Sequence, residues 1–436
     1  LNMSEPVKLR WYIVFGLLSV GALVGGFLTI RFPNEYGGVI NEADTAWMLT
    51  ATCLVFFMTP GLSFFYGGMV DRRNIISTML QSFIALGVIS ILWFVVIFSL
   101  SFGDSYHGFI GNPTTFLFFD NVGVAPHPDL SPGIPFLLFA LFQLKFAIIT
   151  PALITGSFAG RVKFSAYLLF MCLFSIFIYA PLAHMTWHPE GILRNIGVLD
   201  FAGGTVVHMS AGVAALAGAI YLGRRKELKE TPVNIPFVIL GTGMLWFGWF
   251  GFNAGSAMGA NSDAVLAFAN TNTASASAML AWVFFESLRG RKISALGACI
   301  GAVVGLVAIT PAAAFVTVGQ SVFIGFVAAI ISNLAVHYKN NSVIDDTLDV
   351  FACHGVGGMV GMILTGVFAR DVGLIYGQFT TFIIHILALL GVAIFTFVGV
   401  MLLYRLTNFI VSMRVDDSAE EQGLDISQHN EAYKIL

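Results

Sequence analysis

Long apolar segments alternate with short polar loops along the whole chain. Each is about as long as a helix must be to cross the hydrocarbon core of a bilayer, roughly 20 residues. Backbone groups inside a bilayer have to bond within their own segment, so we predict that every segment is a transmembrane helix. The twelve predicted spans are residues 11–30, 45–66, 76–102, 134–157, 164–186, 201–222, 235–254, 264–286, 294–317, 320–338, 351–369 and 379–411.

The first apolar segment has two interpretations. Lys8 and Arg10 precede it, as in a secretory signal peptide, but Ala22, Gly25 and Gly26 do not form a clear cleavage site. Residues 1–40 are therefore predicted to be a signal peptide or an extra N-terminal span. The other eleven spans keep the same orientation in either case.

Composition supports a membrane protein and excludes several other classes. Hydrophobic residues make up 57% of the chain and charged residues 10%, against roughly 25% charged in soluble domains. A net charge of -3 without a basic patch argues against nucleic acid as a partner. The four cysteines lie in apolar segments without close spacing, so we expect small buried side chains. No phosphate loop, nucleophile motif or metal-ligand cluster indicates an enzyme or a cofactor.

The positive charges give the orientation of the spans. Seventeen of the 21 Lys and Arg residues fall on one side if the segment before residue 11 is inside, and three fall on the other: Arg31, Arg194 and Arg370. Lys145 lies within a span. Because positive residues stay in the cytoplasm, we predict a multi-pass protein of the cell membrane with a cytoplasmic C-terminus.

The same pair of ionisable residues occurs twice. Asp200 precedes His208 by eight residues, and Asp346 precedes His354 by eight residues. Five spans separate the two elements, and an odd offset reverses direction across the membrane, which indicates an inverted repeat. Eight residues of helix rise about 12 Å, so both histidines should lie two turns inside their helices, near the midplane. The glycines around them would let the two helices pack closely.

Two intramembrane histidines leave more than one function open. A lone buried histidine usually bonds a backbone carbonyl, and we assign His184 and His385 to such polar contacts. Ionisable groups within a membrane more often mark a pathway, and their matching repeat positions favour a functional role for His208 and His354. The alternatives are a respiratory subunit that binds b-type haem between the rings and a sensor that binds its ligand without passing it.

Eight stretches in a fixed order resemble the ammonium transporter family, which is related to the Rh proteins. They are NEADTAWML, FYGGMVDRRN, FAIITPALITGSFAGRVKFSA, AHMTW, LDFAGGTVVHMSAG, GWFGFNAGSA, DVFACHGVGGMVG and GLDISQHNEAY. The resemblance implies an all-α integral membrane fold for residues 41–414. It consists of two inverted five-helix repeats, about 45–222 and 235–369, and a last long helix, 379–411. It also implies a homotrimer in lipid with one pore per subunit.

The resemblance further implies roles for individual residues. External ammonium recruitment is assigned to Trp187, Ser256 and Phe142, and gating to Phe146 and Phe252. The pore histidine pair is His208 and His354. The structural carboxylates are Asp200, Asp346 and Asp349. The implied function is net ammonium uptake by deprotonation and passage of ammonia past the histidine pair, with an electroneutral ammonia channel as an alternative. Residues 415–436 resemble a regulatory tail on which a PII-type signalling protein acts.

Three positions depart from the family pattern. Lys145 replaces an apolar residue beside Phe146, and we expect its side chain to extend outward from its helix. Gly160 replaces an acidic residue before Arg161, which removes one possible cytoplasmic ion pair. Asn430 replaces a glycine after the tail histidine.

Overall fold

Twelve helices of at least 18 residues make up the computed structural model, which describes residues 9–33, 38–227 and 231–434. They are α1 Leu9–Phe27, α2 Glu42–Met69, α3 Arg72–Phe102, α4 Phe136–Ser157, α5 Phe164–Asn195, α6 Gly204–Leu222, α7 Ile235–Gly255, α8 Ser262–Leu288, α9 Ala295–Ala312, α10 Val318–Asn340, α11 Phe351–Phe368 and α12 Phe379–Ile410. Short helices α13 Asp417–Gln422 and α14 Leu424–His429 follow. The predicted helical membrane fold is confirmed.

The loop between α3 and α4 carries two small hairpins. β1 Ser105–Tyr106 pairs antiparallel with β2 Ile110–Gly111, and β3 Pro126–His127 pairs with β4 Ser131–Pro135. They cover the end of the bundle at which α4 begins.

Ten of the described helices are long and apolar enough to span a membrane by hydropathy alone. The predicted span 264–286 is present as α8, but it is more polar than the others. Its side chains bond to its neighbours: Thr271 accepts from Asn253 of α7 at 2.9 Å, and Ser275 donates to the Ala302 carbonyl of α9 at 3.0 Å. Satisfied hydroxyl groups of this kind are tolerated inside a helical membrane bundle.

The first helices of the two repeats pack along a glycine seam. A methyl group at Gly251 of α7 would lie 2.7 Å from the Ala51 carbonyl oxygen of α2, and one at Gly61 of α2 would lie 2.8 Å from Cβ of Met244. Only hydrogen fits at these positions. The repeats therefore meet through direct contact of the α2 and α7 backbones.

The last helices of the repeats, α6 and α11, cross equally closely. A methyl group at Gly212 would overlap the backbone of Gly355 and lie 3.0 Å from the carbonyl carbon of His354. Each helix begins with a π-helical turn, Gly204–Met209 and Phe351–Val356. Such turns are rare and occur often at functional sites.

A carboxylate caps each of these helices. Asp200 accepts hydrogen bonds from the amides of Gly203, Gly204 and Thr205 at 2.6–2.9 Å, and Asp346 accepts one from the Phe351 amide at 2.7 Å. Residues 200–203 are not helical. The prediction that eight residues of helix precede each histidine is therefore wrong, because the carboxylates lie before the helices and both histidines lie in the first turns.

The described part of the tail is docked against one end of the bundle, which we call the tail face. Arg414 donates to the Leu222 carbonyl and pairs with Glu420, and Asp425 accepts from the Ile76 and Ser77 amides. Asn430 has a φ of 55°, a left-handed conformation that asparagine tolerates better than most residues. It therefore preserves the turn that ends α14.

A buried ion-pair cluster joins the loops at the tail face. Arg161 is fully buried with its Nη1 3.5 Å from Asp345 Oδ2, and Arg225 contacts the other carboxylate oxygen at 2.9 Å. Burial opposes ionisation of Asp345, but Arg225 and Arg161 hold its pKa below the ordinary value. Gly160 has a φ of +82°, which explains why a residue without a Cβ stands beside Arg161.

Helix α1 differs from the others in its exposure. Phe15, Leu17 and Leu23 are each at least 59% exposed, and a methyl group at Gly25 would meet only Phe94 of α3. The cysteines are free among the described residues, and Cys53 is exposed while Cys299 and Cys353 are buried. The prediction of buried cysteines is therefore wrong for Cys53, and Cys172 is only half-buried.

Candidate functional site

A cavity of about 510 Å³ opens at the end of the bundle opposite the tail, which we call the cavity face. Four of the predicted site residues line it: Phe146, Trp187, Asp200 and Ser256. They come from α4, from α5, from the loop before α6 and from the residue that caps the end of α7. The fold thus assembles one chamber from residues that lie up to 110 positions apart.

Phe146 lines the floor of the cavity, and Phe252 packs against Phe146 on the side of the small cavity below. The rings of Phe146 and Phe252 lie 4.3 Å apart at 33°, and neither side chain is more than 1% exposed. Trp187 meets Phe146 edge-on at 5.7 Å. These rings close the chamber from the interior and present aromatic surface to whatever occupies it.

The polar groups of the chamber have fixed orientations. Trp187 Nε1 donates to the Asp200 carbonyl oxygen at 3.2 Å, which holds the indole. Ser256 Oγ donates its only hydrogen to the Phe252 carbonyl at 2.9 Å. The lone pairs of Ser256 therefore remain as acceptors, next to an aromatic face that attracts cations.

Below the phenylalanines, the two predicted histidines are in contact. His208 Nδ1 and His354 Nδ1 lie 3.3 Å apart, and the imidazole rings stack at 5.4 Å and 23°. Both side chains are at most 3% exposed. A hydrogen bond between two Nδ1 atoms needs a single proton, so one neutral imidazole donates and the other accepts. The donating ring then has an unprotonated Nε2.

An aromatic shelf supports His208. Trp249 stacks on its ring at 5.2 Å and 16°, and Phe252 lies 5.9 Å away. The Trp249 indole is itself held by a 3.0 Å hydrogen bond to Thr310. Within the part of the chain that the structure describes, His208 Nε2 is buried and has no hydrogen-bond partner.

Two small cavities follow the histidines toward the tail face. One, of about 10 Å³, is lined by Phe252, His208, His354 and apolar side chains, and a second of similar volume continues past His354 to Tyr66 and Leu348. Ten cubic ångströms is about the space of one water-sized molecule. The two small cavities are therefore narrow, and their linings are mostly apolar.

Carboxylates lie at the tail-face end of this line. Asp349 forms an ion pair with Lys339 at 2.7 Å, and the Lys339 ammonium also donates to the Asp346 carbonyl oxygen. Burial raises the pKa of Asp346, and it raises that of Asp349 to about 6. With Asp346 capping α11, both residues have structural contacts.

Phe142 is not among the residues that line the cavity. It is fully buried and packs edge-on against Phe146 at 5.0 Å. The cavity-facing stripe of α4 consists instead of Phe139, Gln143 and Phe146, at positions i, i+4 and i+7. A recruitment role for Phe142 stays a prediction, and its contacts are those of a support behind Phe146.

The remaining residues singled out from the sequence lie away from the cavity. Lys145 Nζ lies 5.3 Å from the Phe56 ring on α2, in the predicted outward orientation. His184 bonds to Ser105 and to the Ser101 carbonyl, and His385 bonds to the Met362 carbonyl. Both histidines make the polar contacts predicted for them.

Three residues of the site were missed in the sequence. Gln143 and Thr186 line the large cavity, and Trp249 supports His208. Helical spacing was the available signal, since Gln143 lies one turn before Phe146 and Trp249 one turn before Phe252.

The histidine geometry argues against a haem between the rings. A bis-histidine haem needs a broad, flat cavity between the two imidazoles. Here the nitrogens are 3.3 Å apart, and the cavity beside them is about 10 Å³.

The fold is that of a helical membrane protein, and comparison with known proteins identifies its class. A sequence model of the Ammonium Transporter Family matches residues 46–434. The chain belongs to the ammonium transporter family.

Similar proteins come from distant organisms. The ammonium transporter of Aquifex aeolicus is 45% identical over 424 residues, covering 95% of this chain and 99% of that protein. The crystal structure of Candida albicans Mep2 superposes with a TM-score of 0.82 at 34% identity, covering 87% of both chains. A sensor Amt protein gives the same TM-score at 30% identity and covers 89% of this chain and 98% of that one.

Proposed function

We propose that each subunit takes up ammonium at the cavity face, removes one proton and passes ammonia along the histidine-lined path to the tail face. The observation that carries the proposal is the order of groups along one line. A cation-attracting ring and a hydroxyl acceptor come first, stacked phenylalanines second and paired imidazoles third.

Selection takes place in the large cavity. Ammonium and potassium have similar radii, so size and charge alone do not separate them. Ammonium donates hydrogen bonds and potassium does not, and the free lone pairs of Ser256 accept such a bond beside the Trp187 ring. This pairing of an aromatic face with an oriented acceptor supports ammonium as the substrate.

Passage depends on the dry interior. The Phe146 and Phe252 rings block hydrated ions, and the cavities beyond them have space for about one small molecule. Ammonia, the neutral molecule that remains when ammonium has lost one proton, fits such a path. Imidazole titrates nearest to neutral pH, and an unprotonated Nε2 at the pair is a suitable proton acceptor. Proton and ammonia then move separately and sum to net ammonium uptake.

The orientation follows from charge. Arg161, Arg225 and Arg414 cluster at the tail face, which supports a cytoplasmic location for that face and an external one for the cavity. We place the protein in the cell membrane. The homotrimer and a PII-type regulator at the tail are part of the same proposal, and both rest on the family resemblance.

Two other functions remain as alternatives within the family. The likeness to a sensor Amt protein favours a chain that binds ammonium and reports it. An electroneutral channel would pass ammonia and leave the proton outside. Neither requires different residues at the cavity, so a transport measurement has to separate them.

The test is current from purified protein in liposomes on a solid-supported membrane, challenged with ammonium and then with potassium. Internal pH is recorded in parallel, and empty liposomes serve as the control. A transient current with ammonium alone, in proportion to protein density, is the expected result. A rise in internal pH without current would instead identify an ammonia channel, and silence in both recordings would favour the sensor.

A further inference from the structure

Two polar side chains in the wall of the large cavity each have a buried oxygen for which the described residues provide no hydrogen-bond partner. Gln143 of α4 and Thr186 of α5 both line the cavity, and each is only 5% exposed. Among the described residues, Gln143 Oε1 and Thr186 Oγ1 are buried and unpartnered. A buried polar atom without a partner is destabilising, so the presence of two such oxygens in the wall of one cavity needs an explanation.

Other threonine hydroxyl groups in the helices make a hydrogen bond within their own helix that Thr186 does not make. Thr150, Thr271 and Thr365 each donate to the carbonyl four residues earlier, at 2.6–2.7 Å. This bond satisfies a threonine inside a helix without any partner from elsewhere. Thr186 lies within a helix and does not make it.

The two residues flank the aromatic pair of the chamber. Gln143 lies one turn before Phe146 on the cavity-facing stripe of α4, and Thr186 directly precedes Trp187. The Phe146 and Trp187 rings lie 5.7 Å apart between them. Both polar side chains therefore line the same chamber as the aromatic surface that would meet a cation.

We propose that Gln143 and Thr186 are further ammonium-binding residues, which supply hydrogen-bond acceptors in addition to Ser256. This inference rests on the proposed function and deepens it. Ammonium has four N–H donors and no acceptor, and it must give up bonds to water before it passes the phenylalanines. Acceptors from the amide and the hydroxyl replace that lost hydration, while ammonium satisfies two buried oxygens of the protein.

The experiment measures the ammonium concentration that gives half-maximal current for Gln143→Leu and Thr186→Val in liposomes. Loss of one hydrogen bond to a charged ligand predicts an increase of at least about tenfold for each variant. The maximal current should be unchanged, because both substitutions leave the Phe146 and Phe252 rings and the two histidines in the chain. Thr186→Ser keeps the hydroxyl group and should return the concentration toward that of the wild type.

Two matched controls make the same chemical changes elsewhere. Gln81 of α3 and Thr396 of α12 are also buried with unpartnered side-chain oxygens, but neither lines the cavity. Gln81→Leu and Thr396→Val should leave the half-maximal concentration at the wild-type value. Elution profile and thermal stability are compared for all variants, so that misfolded protein is excluded.

The outcomes separate this inference from the proposed function. A wild-type protein that gives no ammonium current would refute the transport proposal itself. Wild-type current with an unchanged half-maximal concentration in both cavity variants would overturn the binding role and leave transport standing. A fall in maximal current alone would also overturn it, since that pattern belongs to gating and not to binding.

Discussion

Replacing Gly212 with alanine should separate the two histidines. Helices α6 and α11 cross where Gly212 meets Gly355, and an added methyl group would overlap the Gly355 backbone. Nonbonded carbon atoms prefer separations of about 3.5–4.0 Å, so the helices would have to move apart by at least about 1 Å. The 3.3 Å separation of the Nδ1 atoms of His208 and His354 would then exceed hydrogen-bonding distance.

The expected cost has a structural and a functional part. Overpacking of a tight interface lowers the free energy of unfolding by about 1–3 kcal/mol, which a thermal melt in detergent would detect. The broken imidazole pair should abolish selective ammonium current in liposomes. Gly243→Ala is the matched control, because nothing lies within 4 Å of its added methyl group. Wild-type current and selectivity in Gly212→Ala would refute the close-approach argument.

Three further predictions address other parts of the chain. Lys145→Met should leave the half-maximal ammonium concentration unchanged, since Lys145 lies over Phe56 outside the cavity, and a clear decrease would place its charge in the vestibule. Arg161→Met should lower the free energy of unfolding by about 3 kcal/mol, because Asp345 loses a buried partner, and an unchanged melting temperature would contradict this. Burial raises the pKa of Asp425 to about 6, so docking of the tail should be strongest below about pH 4 and weaken as the pH rises through 6. In the wild type, protection of the Ser77 amide from hydrogen exchange should decrease as the pH rises through 6. Asp425→Asn should abolish this pH dependence.

The spans were predictable because a bilayer imposes a length and a hydropathy on each helix. The predicted spans include even the polar helix α8, although its hydroxyl and amide groups lower its hydropathy. The equal spacing of Asp200 to His208 and Asp346 to His354 also located the pair correctly, since it reflects one element used twice. The spacing gave a wrong depth for the histidines within their helices. Each capping carboxylate precedes its helix, so the residues between carboxylate and histidine are not all helical.

The cavity lining was harder to predict. Family resemblance pointed to Phe142, one turn before Phe146, whereas the face of α4 that meets the cavity carries Gln143. A shift of one residue rotates a helical side chain by about 100°, and the sequence alone does not fix that rotation. The orientation of the Lys145 side chain is likewise seen only in the structure, where its ammonium group lies over the Phe56 ring.

Removal of the ammonium proton at the buried imidazole pair is tested most directly by His208→Ala and His354→Ala. The measurement is the ratio of ammonium to potassium current for each variant beside the wild type, with elution profiles to establish that the protein still assembles. Both variants should assemble, and each should lose selective ammonium current. Normal selective current in both would contradict it.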